Sequence, residues 1–302
     1  MSKVIVFGSL NMDLSIEAPR MPQLGETING GNFITNPGGK GANQAVAAAK
    51  MGGEVWMLGA VGGDAFGQQM RESLEASGVQ CGHLACIEGT PTGVAVITRV
   101  GGDNCIVLNA DANHALSASY VAADLDELAQ PGDVFLTQLE CDFDATMAAI
   151  ADAHARGMFT VLNPAPARAV PAEVLACLDM LVVNESECEL ICGIYPVDEA
   201  TCRAALEELA AAGVGCPVVT LGARGSMLRT PAGEVLATVP PAVAAVDTTC
   251  AGDTYIGALC AAQAAGTPLP QAMELACRAS ALTRTRVGAQ QAIPTLAEAE
   301  AL

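Results

Sequence analysis

The chain has 302 residues, of which 51% are hydrophobic, 16% charged and 3% aromatic, and its formal net charge is −19. This length and apolar content suffice for a substantial buried core and exclude wholesale disorder. The acidic balance, without any cluster of Lys or Arg, argues against nucleic acid or an anionic membrane surface as a partner.

Cysteine spacing and the N-terminus both indicate a cytoplasmic protein. No Cys-x-x-Cys pair occurs among the 12 cysteines, and the closest two, Cys188 and Cys192, are four residues apart on a predicted helix. Such spacing favours free thiols in a reducing compartment over a zinc site or a disulfide framework. The apolar run Val4–Phe7 is too short for an export signal, and no run reaches the ~18 residues that span a bilayer.

Most of the chain alternates between short apolar strands and helices. Val4–Phe7, for example, is a β-rich apolar run that stops at Gly8. Strand–helix alternation of this kind predicts βαβ units, so we expect an α/β fold over residues 1–302: a doubly wound, mainly parallel central sheet flanked by helices. The predicted strands are 4–7, 55–58, 134–139, 159–162, 180–183 and 217–221, and the predicted helices are 41–51, 66–76, 143–156, 185–192, 199–212, 251–265 and 269–286.

Two segments interrupt this alternation. Residues 14–35 combine Pro and Gly with short alternating pieces, a pattern of small strands that leave the main sheet. Residues 92–109 hold two apolar runs around Gly101-Gly102-Asp103-Asn104, which predicts a β-hairpin because these turn residues tolerate positive φ. We expect the two segments to pair as a small β-sheet lid above the carboxyl ends of the parallel strands, where ligands bind.

The segment Asp247-Thr-Thr-Cys-Ala-Gly-Asp253 stands just before a predicted helix and is built from small residues. The N–H groups at a helix N-terminus form an anion site, and small side chains let a phosphate approach them. Asp253 falls in the first turn, where a carboxylate can take a proton from a hydroxyl that attacks phosphorus. Taken alone, the segment is also compatible with an ordinary capped helix.

Three glycines surround Lys40 in the segment Pro37-Gly-Gly-Lys-Gly-Ala-Asn43. The spacing is not that of a Walker A loop, but glycines at this density predict a close approach between this backbone and another group. Lys40 and Asn43 would then donate hydrogen bonds to sugar hydroxyls. The alternative is a glycine-rich turn that only opens a helix.

The first strand ends in Gly8-Ser-Leu-Asn-Met-Asp13, which lacks the G-x-G-x-x-G spacing of a dinucleotide-binding loop. This absence disfavours an NAD-dependent oxidoreductase. Asn11 and Asp13 instead offer a donor and an acceptor suited to vicinal hydroxyls. A simple strand-end turn has the same composition and stays open as an alternative.

Three further strand ends carry polar or glycine-rich residues. Asn184-Glu-Ser-Glu187 has the oxygen ligands that Mg²⁺ uses together with water and phosphates. Thr220-Leu-Gly-Ala-Arg-Gly225 can lie along a nucleotide, and Glu140 is a lone strand-end acid. The three histidines share no spacing with an acid or a second histidine, so we assign them no metal or triad role.

These segments, in this order, resemble the ribokinase branch of the PfkB carbohydrate kinase family over nearly the whole chain. Gly38–Asn43 and Asp247–Asp253 match the two family signatures, while Gln138-Leu-Glu140 and Asn163-Pro-Ala-Pro-Ala167 are similar to ribokinases in particular. The resemblance implies transfer of the γ-phosphate of ATP to the terminal hydroxyl of a pentose, with D-ribose as the expected acceptor.

The resemblance also implies roles for individual residues. Asp253 would be the general base, and the N–H groups of residues 250–253 would form an anion hole; such positioning and charge stabilisation suffice for in-line phosphoryl transfer. The implied anion hole is Cys250, Ala251, Gly252 and Asp253; the implied sugar site is Asn11, Asp13, Gly39, Lys40, Asn43, Glu140 and Asp253; and the implied ATP site is Asn184, Thr220, Gly222, Gly225 and Gly252, with Glu187 near Mg²⁺ through water.

Ribokinases are activated by a monovalent cation, so the resemblance implies a K⁺ site as well. Asp247 and Thr249 match its first half, and Thr283, Arg286 and Gly288 match part of its second half. The resemblance further implies a homodimer in which the lids of two subunits clasp each other. A lid sheet alone would leave strand edges and apolar surface open to water.

Three positions depart from the family pattern. Cys250 stands where Gly or Ala is usual; beside an anion hole we expect its thiol to have a lowered pKa and to be inactivated by peroxide or alkylation, with protection by ATP. Cys277-Arg278 occupies a place that often holds Asn near the adenine. Ala292 replaces a common Ser near the cation site, which bears on the potassium dependence.

Two kinds of alternative stay open. The acceptor could be deoxyribose, a hexose or a nucleoside, because lid residues set this choice and their closed shape cannot be read from the sequence. A catalytically silent sugar-binding regulator on the same fold is an alternative from another class. The presence of Asp253 weighs against the regulator, since a silent protein needs no base.

Overall fold

The first strand lies in the interior of the central sheet of the computed structural model, which describes residues 2–101 and 103–302. Strand β1 (Val4–Phe7) pairs in parallel with β4 (Val55–Gly62) on one side and with β8 (Val134–Thr137) on the other. All four β1 residues are fully buried, and alternate side chains belong to two separate apolar clusters. A strand buried on both faces is what a parallel sheet covered by helices on both sides requires.

Nine strands form this sheet. Besides β1, β4 and β8 they are β5 (Leu84–Ile87), β9 (Phe159–Leu162), β10 (Met180–Val183), β11 (Cys216–Thr220), β12 (Ser226–Arg229) and β13 (Val235–Thr238). Their spatial order is β13-β12-β11-β10-β9-β8-β1-β4-β5. Neighbours run parallel except at one edge, where β12 pairs antiparallel with both β11 and β13.

Helices cover the two faces of the sheet, and each face has its own apolar cluster. One face carries α1 (Lys40–Lys50), α2 (Ala65–Ala76), α8 (Ala251–Ala264), α9 (Leu269–Thr283) and α10 (Leu296–Glu300). The other face carries α3 (Ala118–Leu128), α4 (Phe143–Ala155), α5 (Ala172–Leu175), α6 (Glu185–Cys192) and α7 (Glu199–Ala211). The doubly wound α/β fold expected from the sequence is therefore confirmed. Within the part of the chain that the structure describes, no helix is long and apolar enough to cross a membrane.

A second sheet has four strands, in the order β3-β2-β6-β7. They are β2 (Asn11–Glu17), β3 (Gly31–Gly38), β6 (Gly93–Val100) and β7 (Asp103–Asn109). Strand β2 pairs antiparallel with β3 and parallel with β6, so the two predicted β segments do lie side by side. The predicted turn residue Gly102 lies outside the described residues. Because β2 begins at Asn11, shortly after β1, the chain passes directly from the central sheet into the small one.

Helices α1 and α8 pack at very close range. A Cβ atom on Gly257 would stand 2.5 Å from the Cβ of Ala47 and 2.5 Å from the carbonyl oxygen of Gln44. Only a residue without a side chain fits this contact. The facing surface of α1 is correspondingly small, since six of its eleven residues are Ala or Gly. The contact brings the first turns of the two helices together.

Candidate active site

Three open cavities follow one another past Asp253. The sheet cavity, about 270 Å³, lies against the small sheet; the central cavity, about 190 Å³, follows it; and the outer cavity, about 260 Å³, comes last. Lys40, Cys250 and Asp253 line both the sheet cavity and the central cavity. Thr220 and Gly252 line both the central cavity and the outer one. The cavities thus form a continuous path with Asp253 at the first junction.

The predicted sugar and nucleotide residues line these cavities, and a few of them are shared between neighbouring cavities. The sheet cavity is lined by every residue of the implied sugar site: Asn11, Asp13, Gly39, Lys40, Asn43, Glu140 and Asp253. The central cavity is lined by Asn184, Glu187, Thr220 and Gly252, and the outer cavity by Thr220, Gly222, Gly225, Ala251 and Gly252. Residues that stand far apart in the sequence therefore meet at the carboxyl end of the parallel strands, as the sheet geometry requires.

Two amide side chains of α1 hold the Asp253 carboxylate. Asn43 donates from Nδ2 to Oδ2 over 3.1 Å, and Gln44 donates from Nε2 to Oδ1 over 2.9 Å. Asn43 is itself fixed by Gln290, whose Nε2 donates to the Asn43 Oδ1 over 3.3 Å. The carboxylate is thus held in one orientation at the junction of two cavities.

Gln44 belongs to a buried amide network that the sequence reasoning did not identify. Its Oε1 accepts a hydrogen bond of 2.6 Å from the Gln138 Nε2, and its Nε2 also lies 3.2 Å from the Asn163 Oδ1. Asn163 Nδ2 in turn donates to the Glu187 carboxylate over 3.4 Å. A buried amide must find partners, so a glutamine on the alanine-rich face of α1 was the signal that could have revealed the network.

Helix α8 begins without a side-chain cap, which leaves its first N–H groups open. Its N-cap residue Cys250 has φ +65°, a left-handed conformation that costs a non-glycine residue about 1 kcal/mol. The Ala251 N–H already donates to the Thr248 carbonyl over 3.3 Å, which differs from the four-donor anion hole expected from the sequence. The N–H groups of Gly252 and Asp253 are the first-turn donors best suited to an anion.

The expectation of a lowered pKa for the Cys250 thiol is wrong. Burial raises the pKa of the Cys250 thiol well above its usual range, and the nearby Asp253 carboxylate raises it further. These two effects outweigh the hydrogen bond with Thr254 and the positive charge of Lys40, which act in the opposite direction. The thiol stays protonated at neutral pH, so the reason to expect unusual sensitivity to peroxide or alkylation is removed.

Carboxylates surround the Lys40 ammonium in the sheet cavity. Burial by itself would lower the pKa of Lys40, but Asp253 and Glu140 outweigh burial and the pKa is raised. The Glu140 carboxylate is held by the Ser9 hydroxyl, which donates to it over 2.5 Å, and by the Lys40 N–H over 3.2 Å. Lys40 is therefore a permanently charged group between the sheet cavity and the central cavity.

Asp13 carries a strongly perturbed carboxyl group. Burial raises the pKa of Asp13 to about 7, and the neighbouring Glu140 and Asp253 contribute in the same direction. Beside it, the Asn11 Oδ1 accepts a 2.8 Å hydrogen bond from Asn113, which fixes the amide. The result is a rigid set of acceptors and donors in the space where the small sheet meets α8.

The glycines around Lys40 let α1 start against the end of β1. Gly39 has φ +90°, and a Cβ on it would stand 2.7 Å from the Asn11 backbone nitrogen. A Cβ on Gly41 would stand 2.5 Å from the Gly8 carbonyl carbon. The close approach predicted from the glycines is thus an approach to this chain's own backbone, and it places Lys40 beside Glu140.

The central cavity holds a carboxylate suited to a hydrated magnesium ion. Asn184 and Glu187 form a capping box at the start of α6, and burial raises the pKa of Glu187 despite the hydrogen bond that it accepts from the Asn184 N–H. Across residues 2–101 and 103–302, no group of three or more His, Cys, Asp or Glu could hold a metal ion alone. The residues therefore fit Mg²⁺ held by one carboxylate through water together with phosphate oxygens.

The outer cavity is a mostly apolar space beside β11 and α9. Gly225 has φ +94°, and a Cβ on it would lie 1.8 Å from the Thr238 carbonyl oxygen, so only glycine fits there. Cys277 lines this cavity. Arg278 does not, since it lies on the exposed side of α9 and pairs with Glu274.

The predicted cation residues are only partly brought together. The Asp247 carboxylate accepts backbone hydrogen bonds from Thr249 over 2.9 Å and from Gly288 over 3.0 Å. Burial would raise the pKa of Asp247, but these hydrogen bonds outweigh it and the pKa is lowered. The Thr283 hydroxyl is buried against Thr254, and the Arg286 guanidinium pairs with Glu298, so these two positions can offer only main-chain oxygens.

Comparison with known proteins gives a consistent result along the whole chain. The model of the pfkB family carbohydrate kinases matches residues 1–296. A ribokinase from Schizosaccharomyces pombe is 36% identical, covering 99% of this chain and 97% of that one, and a deoxyribokinase from Salmonella typhi is 34% identical, covering 97% and 96%. A ribokinase from Arabidopsis thaliana complexed with ribose and ATP has a TM-score of 0.90 at 27% identity, covering 99% of this chain and 98% of that one.

We predict that Asp13→Asn stabilises the unliganded protein, and increasingly so as pH rises. The folded Asp13 pKa of about 7 lies above its ordinary 3.8, so the folded state holds the proton more tightly. The stability from this proton is fully present below about pH 4 and is lost as pH rises through about 7, up to about 4 kcal/mol in all. Thermal unfolding at pH 4 to 8 should show a Tm advantage that widens and then levels off.

The matched control is Glu234→Gln, which neutralises an exposed carboxylate on the turn between β12 and β13. It should show no such widening. A Tm difference between Asp13→Asn and wild type that does not change with pH would contradict the prediction.

Proposed function

Because this chain belongs to the pfkB family of carbohydrate kinases, we propose that it transfers the γ-phosphate of ATP to the terminal 5-hydroxyl of D-ribose, with Asp253 as general base. The observation that carries this proposal is the position of Asp253. Its carboxylate is held by two α1 amides, stands in the first turn of α8, and faces both the sheet cavity and the central cavity. A hydroxyl in one cavity and a phosphate in the other would meet at this group.

The sheet cavity supplies the acceptor site. Asn11, Asp13, Asn43 and Glu140 present amide and carboxyl groups that pair with several hydroxyls of one sugar, and Gly39 leaves room for it. Asp253 takes the proton of the terminal hydroxyl as that oxygen attacks phosphorus. The charged Lys40, which borders both cavities, stabilises the negative charge that spreads over the transferred phosphoryl group.

The central and outer cavities supply the nucleotide site. The N–H groups of Gly252 and Asp253 receive phosphate oxygens, and Asn184 and Thr220 line the space for the rest of the phosphate chain. Gly222 and Gly225 border the outer cavity, where the base lies against a glycine-rich turn. Glu187 would hold Mg²⁺ through water, together with phosphate oxygens, and the ion would supply positive charge against the nucleotide.

A monovalent cation, K⁺, would bind beside the loop that precedes α8. Asp247 and Thr249 are adjacent to Gly288 there, and main-chain oxygens of Thr283 and Arg286 complete the proposed donor set. An ion in this place would stiffen the loop that carries the proposed anion hole. The Ala292 side chain is buried and has no oxygen to offer, unlike the Ser that is common at this position in the family. The proposed K⁺ site therefore depends more on main-chain oxygens.

The small sheet would act as the lid of a single kinase domain spanning residues 1–302, with about 14–35 and 92–109 as its moving parts. Its inner face lines the sheet cavity. On its outer face, the exposed fractions of Phe33, Val96 and Val107 are 60%, 48% and 72%. Val96 stands directly opposite Val107 across β6 and β7. Apolar cross-strand neighbours on an open sheet face suit a second copy of the same sheet, so the proposed assembly is a homodimer.

The cysteines agree with a cytoplasmic setting. All 12 are free thiols, and most are buried. Proteins with many unpaired thiols are characteristic of reducing compartments, where disulfides do not persist.

The acceptor can be tested by measuring ADP release with D-ribose, 2-deoxy-D-ribose, D-fructose, D-glucose and adenosine, with and without K⁺. We expect D-ribose to give the highest kcat/KM, with 2-deoxy-D-ribose lower by about tenfold or more, because its absent hydroxyl leaves polar groups of the sheet cavity unpaired. Removing K⁺ should lower turnover. A preference for 2-deoxy-D-ribose would show that D-ribose is not the main acceptor. If none of the five compounds is phosphorylated, the kinase reaction itself is contradicted.

The dimer can be tested by sedimentation of the Val107→Glu variant. The wild-type protein should sediment as a dimer and the variant as a monomer, because a carboxylate on the outer face of the lid cannot be buried unpaired. Val197→Glu is the matched control, since Val197 is 62% exposed and lies outside the lid. A monomeric wild type, or a Val107→Glu variant that remains dimeric, would refute the proposed interface.

A further inference from the structure

The fold leaves the charge of Arg284 uncompensated. Seven of the eleven arginines form salt bridges with carboxylates, namely Arg20, Arg156, Arg203, Arg224, Arg229, Arg278 and Arg286. Arg71 and Arg99 donate to main-chain carbonyls, although the Arg99 Nε itself is buried without a partner, and Arg168 lies over the ring of Phe143. Within residues 2–101 and 103–302, Arg284 forms no salt bridge, and its Nε is buried without a hydrogen-bond partner.

Arg284 is anchored beside the start of α8. It follows α9 directly, and its carbonyl accepts hydrogen bonds of 2.7 Å from the Val246 N–H and 3.2 Å from the Asp247 N–H. One turn earlier on α9, the Ser280 hydroxyl donates to the Ala251 carbonyl over 2.8 Å. These contacts tie the end of α9 to the segment that carries the proposed anion hole.

Arg284 lines the outer cavity together with Thr248, Ala251 and Gly252. It is the cationic residue of that wall, whereas Lys40 borders the other two cavities. A chain with 33 acidic residues and 14 basic ones has ample carboxylates to pair an arginine. Leaving a guanidinium nitrogen buried and unpaired costs free energy, which is offset when a ligand supplies the missing anion.

We propose that Arg284 binds the nucleotide by pairing its guanidinium with the phosphate chain. The proposal rests on the proposed kinase function, which places a nucleotide along the central and outer cavities. A planar guanidinium matches two phosphate oxygens at once, and the first-turn N–H groups of α8 lie on the same wall. Arg284 would thereby hold the phosphate chain from the α9 side while Gly252 and Asp253 hold it from the helix end.

The test compares the binding of ADP and of adenosine by calorimetry, both in saturating D-ribose so that the sheet cavity is filled. Arg284→Ala should weaken ADP binding by about 10- to 100-fold, the range for a lost charge-assisted hydrogen bond. Adenosine, which has no phosphate, should lose less than about twofold. Arg203→Ala is the matched control, because it removes an arginine from an exposed ion pair with Glu199 on α7.

The remaining outcomes are distinguishable. Unchanged ADP binding in Arg284→Ala overturns the proposal, and an equal loss for adenosine overturns it in favour of stacking on the base. Arg284→Met, which keeps the length and removes the polar atoms, should show the same selective loss and serves if the alanine variant does not fold. If the wild-type protein binds no ADP, the proposed kinase function itself is contradicted. This outcome concerns the wild type alone, so it is distinct from any result with the Arg284 variants.

Discussion

The contact between α1 and α8 is the constraint on which the active site depends. Helix α8 can approach α1 so closely only because Gly257 has no side chain where it meets Ala47 and the Gln44 carbonyl. At this separation the Asn43 and Gln44 amides reach the Asp253 carboxylate, although the two helices are more than 200 residues apart in sequence. The same approach places the open N–H groups of α8 beside the sheet and central cavities, which the first residue of α1, Lys40, also lines. One close contact therefore fixes the positions of both the proposed base and the proposed anion hole.

The same packing gathers several carboxylates around Lys40, and this arrangement lowers the stability of the unliganded protein. Asp13, Glu140 and Asp253 share the surroundings of one half-buried cation, Lys40. Burial raises the pKa of Asp13, and the neighbouring carboxylates of Glu140 and Asp253 raise it further, so an ionised Asp13 costs the unliganded site free energy. Sugar hydroxyls that donate to these carboxylates would relieve this cost, so the unliganded site is destabilised in a way that favours its acceptor. Natural active sites commonly trade stability for function in this manner.

Local patterns predicted most of the fold, whereas long-range contacts decided the rest. The strands at 159–162 and 180–183 and the helix at 185–192 were predicted to the residue, because mainly apolar runs and a capping pair mark their limits. Helices α3, α5 and α10 and strands β5, β12 and β13 were missed, since short or partly exposed elements carry a weak pattern. The motif residues were found from the sequence, but the Gln44 network and the unpaired Arg284 were not. Both depend on which side chains from distant parts of the chain lie nearby, and a local pattern does not show this. The Cys250 thiol was judged from the helix end alone, and burial reversed the result.

We propose that Asp253 performs the proton transfer while other groups hold the sugar. The most direct measurement is the turnover of Asp253→Asn, compared with its affinity for D-ribose by calorimetry. Loss of a positioned base lowers rates by about 10²- to 10⁴-fold, whereas Asn11, Asp13 and Glu140 remain to bind the sugar. We expect a loss of turnover in this range, with ribose affinity within about threefold of wild type. Near-normal turnover in Asp253→Asn would contradict it.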